Sequence, residues 1–492
     1  MKTQAKTLLL IMPPQVGLLS GFSAGLISIA NYVAPRQPNV TVKIIDYSEA
    51  SPSSAAEDLA TVCRQFQKSV LFVGITTTTA SYQQALALAR RIKEFRDDAV
   101  VILGGHHATS DYEIILDRHN EVDLIVLGEG ELTMENILSQ FPDKIDLPGI
   151  AYKDKVSKIV RKNPPPALLS TTELDSIPIA YGEYGLIGTP GKFHHATYVS
   201  ARGCPLKCSF CAVGNEAIRT KSIPAVLRDI EDLVALGYSK IAIEDNFFAH
   251  SRTRTESICS ALHGLRTKLN NSFTWDCQTR VESLVRPDTI TQMEAAGCEA
   301  VYIGVESLDP VQLLMLNKTN RPAIYLAKLR KAVSDLLQSK IECYVNIQLG
   351  IPGETRGQFN GTLSVLQDLG ELALREGRRI TVFPQLHVVY PGTVHFQEGL
   401  QAGLYSRDIF EGFTAWESQE MPVLLWLGEH FAHGTGGIPI GIMKGDLLKE
   451  GRFEVESTRV FNVLDSLRQI AEVEGINVFK YGEYLVSAAR SN

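Results

Sequence analysis

The chain has 492 residues, 48 Lys and Arg against 55 Asp and Glu, a net charge of −7 and a sequence pI near 5.9. That length holds two to three domains with large cores, and with no basic tail or Lys/Arg block the composition disfavours nucleic acid as a partner. The apolar run Thr7 to Met12 stops at Pro13-Pro14, and Gly17 to Ala30 is too short and too rich in Gly and Ser to span a bilayer, so neither a transmembrane segment nor a signal peptide is expected.

Residues 1–145 alternate apolar runs with amphipathic stretches. Strands are predicted at Thr7-Met12, Val40-Ile45, Val70-Ile75, Val100-Leu103 and Leu124-Leu127, and helices at Gly25-Ala34, Ser81-Arg96 and Glu131-Gln140. This alternation predicts a doubly wound, Rossmann-like parallel sheet with right-handed crossovers and a ligand site at the strand C-terminal ends. Those ends read Pro13-Pro14, Thr76-Thr77-Thr78-Thr79, Gly104-Gly105-His106-His107-Ala108-Thr109 and Gly128-Glu129-Gly130-Glu131. Taken singly, Gly104-Gly105 is a turn after a buried strand. No G-x-G-x-x-G phosphate loop supports the competing assignment of a flavodoxin-like FMN site.

Residues 146–190 read as a linker stiffened by Pro164-Pro165-Pro166, with a small hairpin formed by Ile150-Tyr152 and Ile159-Arg161. From 191 to 399 the alternation returns, with strands at Ala196-Ser200, Lys240-Glu244, Phe273-Gln278, Ala300-Val305, Glu342-Leu349 and Ile380-Val389. Helices follow at Pro224-Leu236, Ser251-Leu269, Pro287-Ala296, Asn320-Ser339 and Arg356-Glu376. Six such units predict a partial (β/α)6 TIM-type barrel whose site faces the strand C-termini. Residues 400–492, with Trp416, Trp426 and Gly434 to Pro439, are read as a small, mostly helical cap. His430 and His433 are read as ordinary surface or core histidines. His387 and Tyr390 are better placed, as substrate or nucleotide contacts or as strand packing.

The first barrel strand leads into Ala201-Arg202-Gly203-Cys204-Pro205-Leu206-Lys207-Cys208-Ser209-Phe210-Cys211. Three of the eight Cys stand here at C-x3-C-x2-C spacing, the pattern of a reduced, cytoplasmic metal loop and not of a disulfide framework. Three thiolates can hold three irons of a cubane and leave the fourth open for a chelating molecule. A zinc site is the nearer rival; it needs a fourth ligand, and His194 and His195 lie just upstream.

The Cys204, Cys208, Cys211 run, with Phe210 before the last Cys, resembles the signature of the radical S-adenosylmethionine (SAM) superfamily. The Gly104 to Thr109 and Gly128 to Glu131 loops resemble the cobalamin-binding domain that precedes many such barrels. Together they identify the chain as similar to cobalamin-dependent (class B) radical SAM enzymes over residues 1–395. The resemblance implies that Cys204, Cys208 and Cys211 hold a [4Fe-4S] cluster whose fourth iron takes SAM. It implies that Glu244 or Asp245 accepts hydrogen bonds from the SAM amino group and that Arg280 meets the SAM carboxylate or lies on the surface. It also makes Glu306, in a Gly-x-Glu-Ser element with Ser307, a ribose partner, and lets the Gly350-Ile351-Pro352-Gly353-Glu354-Thr355 run line the adenine. Asn317-Lys318 and Pro391-Gly392-Thr393 extend the likeness.

In the front domain the resemblance gives cobalamin contacts at Thr76, Thr77, Gly104, Gly105, His106, Gly128 and Glu129. The Asp-x-His-x-x-Gly pattern that supplies a cobalt-ligating His is missing, so His106 and His107 are read as loop residues packing near a cofactor, not as axial ligands. The implied activity is methyl transfer from methylcobalamin to an unactivated carbon of a small or carrier-bound substrate, after hydrogen abstraction by a 5′-deoxyadenosyl radical. An electron donor such as flavodoxin or ferredoxin is implied as a partner. Oxidative cyclisation or rearrangement on the same architecture is the alternative. A tRNA-modifying methylthiotransferase ranks below it, because the front domain has only Cys63 and the tail is not basic.

Overall fold

The computed structural model describes residues 5–14, 23–179, 195–403, 406–411, 438–439 and 469–478, apart from 49, 80, 350, 352, 353, 409 and 471. The front sheet comprises β1 (Lys6–Met12), β2 (Val40–Asp46), β3 (Val70–Thr76), β4 (Val100–Gly104), β5 (Leu124–Val126), β6 (Ile150–Lys153) and β7 (Val160–Lys162), in the order β2-β1-β3-β4-β5-β6-β7. The first five are parallel. Their near-continuous apolar runs, such as Leu8 to Ile11, are those of strands covered on both faces. Helices α1 (Ala24–Arg36) and α5 (Glu131–Gln140) close one face over Leu8, Leu10 and Ile102. Helices α2 (Pro52–Gln65), α3 (Tyr82–Phe95) and α4 (His106–Arg118) close the other over Leu9, Ile11 and Val101. The hairpin read as part of a linker instead continues this sheet, with β6 and β7 antiparallel at its edge. After the short helix α6 (Thr171–Asp175) the chain passes to the second sheet.

That sheet has the order β18-β15-β14-β13-β12-β11-β8, entirely parallel, from β8 (Ala196–Tyr198), β11 (Lys240–Ile243), β12 (Thr274–Thr279), β13 (Cys298–Glu306), β14 (Glu342–Leu349), β15 (Ile380–Leu386) and β18 (Ile476–Val478). The six predicted strands are present. The seventh, β18, comes from the region read as a helical cap, so that region also extends the barrel sheet. The rest of the cap, including Trp416, Trp426, His430 and His433, lies outside the described residues. Between β8 and β11, β9 (Ala201–Arg202) and β10 (Arg219–Thr220) form a small antiparallel ladder. Another joins β16 (Val388–Val389) to β17 (Ile438–Pro439).

The outer face is covered by α7 (Ile223–Ala235), α8 (Arg252–Lys268), α9 (Val281–Leu284), α10 (Thr289–Ala295), α11 (Pro310–Met315), α12 (Pro322–Leu337) and α13 (Arg356–Arg375). Ser222, Ser251, Asp309 and Thr355 start four of these by accepting a hydrogen bond from the first turn. Strand residues Ile241, Trp275, Val301, Val345 and Val382 pack into that helical layer. The alternate residues face inward and are polar or half-exposed, namely Glu244, Asp276, Gln278, Tyr302, Tyr344, Asn346 and Gln348. Helix α14 (Val394–Gln401) leaves the barrel and returns to the front domain, where Phe396 and Phe410 enter the core under α3 and α4.

Candidate active site at the facing sheet edges

The cysteine loop is shaped by its own return strand. Gly203 sits at φ +84, where a Cβ would lie 2.5 Å from Ala217 O. Glu216 N donates to Cys204 O at 2.8 Å and Asn215 N to Leu206 O at 2.7 Å. Asn317 Nδ2 donates to Lys207 O at 2.7 Å, and Ser209 N to Leu316 O at 3.1 Å. Cys204 is buried and Cys208 and Cys211 are half-buried. Burial pushes the Cys211 thiol up to about 11, and the charges of Cys208, Cys204 and Glu306 act on it in the same direction.

Among the described residues no group of three His, Cys, Asp or Glu converges on a single-ion site. Three thiolates on one short loop suit a cubane, in which each thiolate binds its own iron at a separate corner of one compact cluster.

The predicted nucleotide contacts separate into two groups. Asp245 is buried and spent: Ser200 N and Oγ donate to it at 2.6 Å each and Ala201 N at 2.8 Å, so it anchors the base of the cysteine loop and is no acceptor for a ligand ammonium. Ser307 is likewise a turn residue, donating to Gln312 Oε1 at 2.8 Å and accepting from Asp309 N at 3.1 Å. Glu244 remains. It is solvent-accessible, yet surrounding protein raises its pKa by desolvation, the combination expected of a side chain in a concave cleft. Arg280 lies at the cysteine loop itself, with Nη1 3.8 Å from Cys208 Sγ and Nη2 donating to Lys318 O at 2.6 Å.

Glu306 stands at φ +71 where the β13–β14 register shifts, and Lys318 Nζ (3.2 Å) and Gln348 Nε2 (2.7 Å) donate to its two oxygens. Phe210 lies 6.4 Å, edge to face, from the ring of His387. Gly350 lies outside the described residues. Sequence reasoning missed the deeper wall. Burial raises Asp276 to about 7, Tyr302 and Tyr344 stack at 4.6 Å, and Asn346 Oδ1 is buried with no protein partner. The signal was present as alternation: Thr274, Asp276 and Gln278, then Glu342, Tyr344, Asn346 and Gln348, are polar at every second place, unusual in parallel strands.

On the front sheet, Thr77 is fully buried and holds two loops together, donating through Oγ1 to Gly104 O at 2.7 Å and accepting from Ala108 N at 3.1 Å. Gly105 is required at φ +95, since a Cβ would meet Thr77 O at 2.5 Å. Glu129 is engaged by two arginines. It takes Arg219 Nη1 at 3.0 Å and Nη2 at 2.6 Å and pairs with Arg202 Nη1 at 3.2 Å, while Arg202 Nη2 reaches Glu131 at 2.6 Å. These ion pairs dock the β9–β10 ladder, two residues from Cys204, on the Gly-Glu-Gly-Glu loop.

Thr76, Gly104, His106 and Gly128 stay accessible, and a Cβ at Gly128 would meet nothing within 4 Å. Surrounding protein holds His106 below its ordinary pKa by desolvation, partly offset by the charge of Glu216 on the cysteine loop. His107 points backward, fully buried, its ring 4.1 Å from that of Tyr82.

Two family profiles match, the B12 binding domain at residues 20–138 and the radical SAM superfamily at 198–366, together more than half of the chain. The chain belongs to the B12-binding radical SAM proteins. It is 27% identical over 380 residues to an uncharacterized methyltransferase of Pyrococcus horikoshii, covering 74% of this chain and 78% of that one. An anaerobic magnesium-protoporphyrin IX monomethyl ester cyclase of Rubrivivax gelatinosus is 28% identical over 60% of this chain, which spans about half (54%) of the cyclase. The methyltransferase TsrM of Kitasatospora setae, solved with cobalamin and a [4Fe-4S] cluster, has the same fold, with a TM-score of 0.69 over 99% of both chains at 16% identity.

The donor sets suit the cofactors of this group. Three soft thiols with an Arg hydrogen bond to one sulfur fit a cubane, and the Thr76, Gly104 and Gly128 edge presents small, accessible residues that a ligand can approach closely. No helix among the described residues is long and apolar enough to cross a membrane.

Proposed function

We propose that the chain is a cobalamin-dependent radical SAM methyltransferase acting on a small or carrier-bound substrate in the cytoplasm, supplied with electrons by a flavodoxin- or ferredoxin-type donor. The observation that carries this reading is the facing of the two strand-end surfaces: the cysteine loop is tied to the Gly128–Glu131 loop by the ion pairs of Glu129 and Glu131 with Arg202 and Arg219. Bound there, the cluster, SAM and cobalamin supply one-electron cleavage of a sulfonium and methyl delivery to carbon. The chain's own part is to hold and orient. Cys204, Cys208 and Cys211 ligate iron, Glu244 accepts from a ligand ammonium, Glu306 accepts from ribose hydroxyls, and the Thr76, Gly104, His106 and Gly128 edge seats the corrin.

The inward wall of Asp276, Tyr302, Tyr344 and Asn346 shapes the remaining space and excludes bulk water from it. Anaerobic reconstitution with cobalamin and methyl-labelled SAM, followed by mass spectrometry of candidate metabolites, tests the reading: a gain of one labelled methyl supports it. Loss of hydrogens without label would instead favour the cyclase reading, which the cyclase relatives keep in view. Cys204→Ala, Cys208→Ala and Cys211→Ala should each abolish 5′-deoxyadenosine formation, and its retention in any of them would overturn the assignment.

A further inference from the structure

Behind the cysteine loop, buried Ser209, His395 and His387 join the loop to Gln348 and Glu306 in one line of polar side chains. Ser209, between Cys208 and Cys211, has its Oγ 2.8 Å from His395 Nε2 and accepts at its carbonyl from His395 N at 3.1 Å. His395 Nδ1 is 3.0 Å from His387 Nε2, and His387 Nδ1 is 2.6 Å from Gln348 Oε1. Gln348 Nε2 donates to Glu306 Oε2 at 2.7 Å, and Lys318 holds Oε1. Ser209, His395 and His387 are 6%, 6% and 0% exposed, so water cannot replace a missing partner.

Donor and acceptor chemistry gives this line one direction. A carboxylate only accepts, so Gln348 must turn its amide N–H to Glu306 and its carbonyl to His387. His387 then carries its proton on Nδ1 and accepts at Nε2, His395 does the same, and the Ser209 hydroxyl turns to His395 in preference to Met315 O, which lies 3.0 Å away. Both imidazoles are neutral in this arrangement, and burial favours that state, holding His387 near 3 and His395 below its ordinary range.

We propose that His387 and His395 are positioning residues that join Glu306 of the adenosyl pocket to the loop carrying the cluster thiolates, so that the two are oriented as one unit. The proposal rests on the reading of Glu306 as a ribose partner. Neither His touches the cluster or the nucleotide in this scheme; each acts through the residue at its end of the line. Removing His387 takes away the partner of His395 Nδ1 and of Gln348 Oε1, and removing Gln348 takes away that of His387 Nδ1 and of Glu306 Oε2, whereas at the far end Ser209 keeps Met315 O as a second acceptor.

The test is a mutant cycle on the reconstituted protein with two readouts, the SAM dissociation constant by equilibrium dialysis and the reduced-to-oxidised cluster ratio at one applied potential by electron paramagnetic resonance. His387→Leu, His395→Leu and the milder Gln348→Met are each expected to move both readouts about tenfold, the scale of orphaning one buried hydrogen-bonding group. The His387→Leu/His395→Leu double variant should do no more than either single one. His395→Gln, which restores one donor and one acceptor, should recover most of both. Local, additive effects, with His387→Leu changing only SAM binding and His395→Leu only the cluster, would overturn the proposal. A wild-type protein that binds no SAM would count against the ribose reading alone. The relay is then decided on the apoprotein, where Gln348→Met should speed iodoacetamide alkylation of Cys208 and Cys211 several-fold, and unchanged rates would refute it.

Discussion

Two residues near the cysteine loop show how much of the site depends on backbone geometry. At Gly203 a Cβ has no room, because Ala217 O lies where it would go and φ is +84. Gly203→Ala should cost about 2 kcal/mol or more in local strain and steric displacement of the return strand. The expected result is loss of most of the iron and sulfide bound per chain after reconstitution. Asp245 holds the other end of the loop through three accepted hydrogen bonds, and burial raises it to about 6. Asp245→Asn sets an amide N–H against one of those donors and should cost about 1–3 kcal/mol. Reduced cluster content with unaltered SAM affinity in the filled fraction is expected, and would separate this anchoring role from the ligand-contact role that the sequence implied. The hydrogen bonds that Asp245, Ser307 and Thr77 make were not legible from their place in a motif, because short side chains at strand ends satisfy nearby backbone groups that only the folded chain brings together.

At the level of elements, the strands were legible because parallel strands read as apolar runs and the connecting helices carry their caps in sequence. The pairing of the 150–162 hairpin with β5 was not, since a three-residue strand between polar turns gives no period to follow. Nor was the use of Glu129, whose partners Arg202 and Arg219 are 73 and 90 positions later in the chain. Composition cannot reveal a long-range ion pair. Burial lowers the stability of the Arg202 charge, but Glu131 and Glu129 outweigh it and raise its pKa, so this is a net favourable cluster of charges with little access to water. Glu129→Gln leaves Arg219 and part of Arg202 without a counter-charge in a half-buried place. A loss of up to about 3 kcal/mol from the contact between the β9–β10 ladder and the front domain is expected. Faster proteolytic cleavage between the two sheets, at unchanged circular dichroism, is the measurement that checks it. Glu129→Asp should fall between the two, because the charge is kept and the bidentate reach to Arg219 is lost.

On the scale of the whole molecule, the two sheets are also tied at the back, away from the site, by the segment after α14. Gln83 Nε2 donates to Phe410 O at 2.7 Å, Arg118 pairs with Asp408 at 2.6 Å and Arg407 with Glu113 at 2.9 Å, and Glu411 takes His119 Nε2 at 2.7 Å along with the Tyr82 hydroxyl. Burial alone would depress His119, but hydrogen bonds to Glu121 and Glu411 and their charges outweigh it and raise the imidazole to about 9. The folded protein thus binds this proton more tightly than the unfolded chain, whose His titrates near 6.5. The stabilisation from the protonated form is complete below pH ~6.5, falls as pH rises, and is gone above about 9. Asp111, raised to about 7 by burial against the opposing charge of Arg407, has the same sign but spends its contribution at lower pH, between about 4 and 7. A thermal midpoint measured from pH 6 to 10 should therefore decline through the upper part of that range in the wild type. His119→Gln keeps a hydrogen-bond donor to Glu411 but cannot titrate, so its midpoint should start lower at pH 6 and lose this decline. Asp111→Asn should leave the decline in place. A His119→Gln profile parallel to the wild type would mean that the segment is held to the front domain by Phe396, Phe410 and the Arg pairs alone.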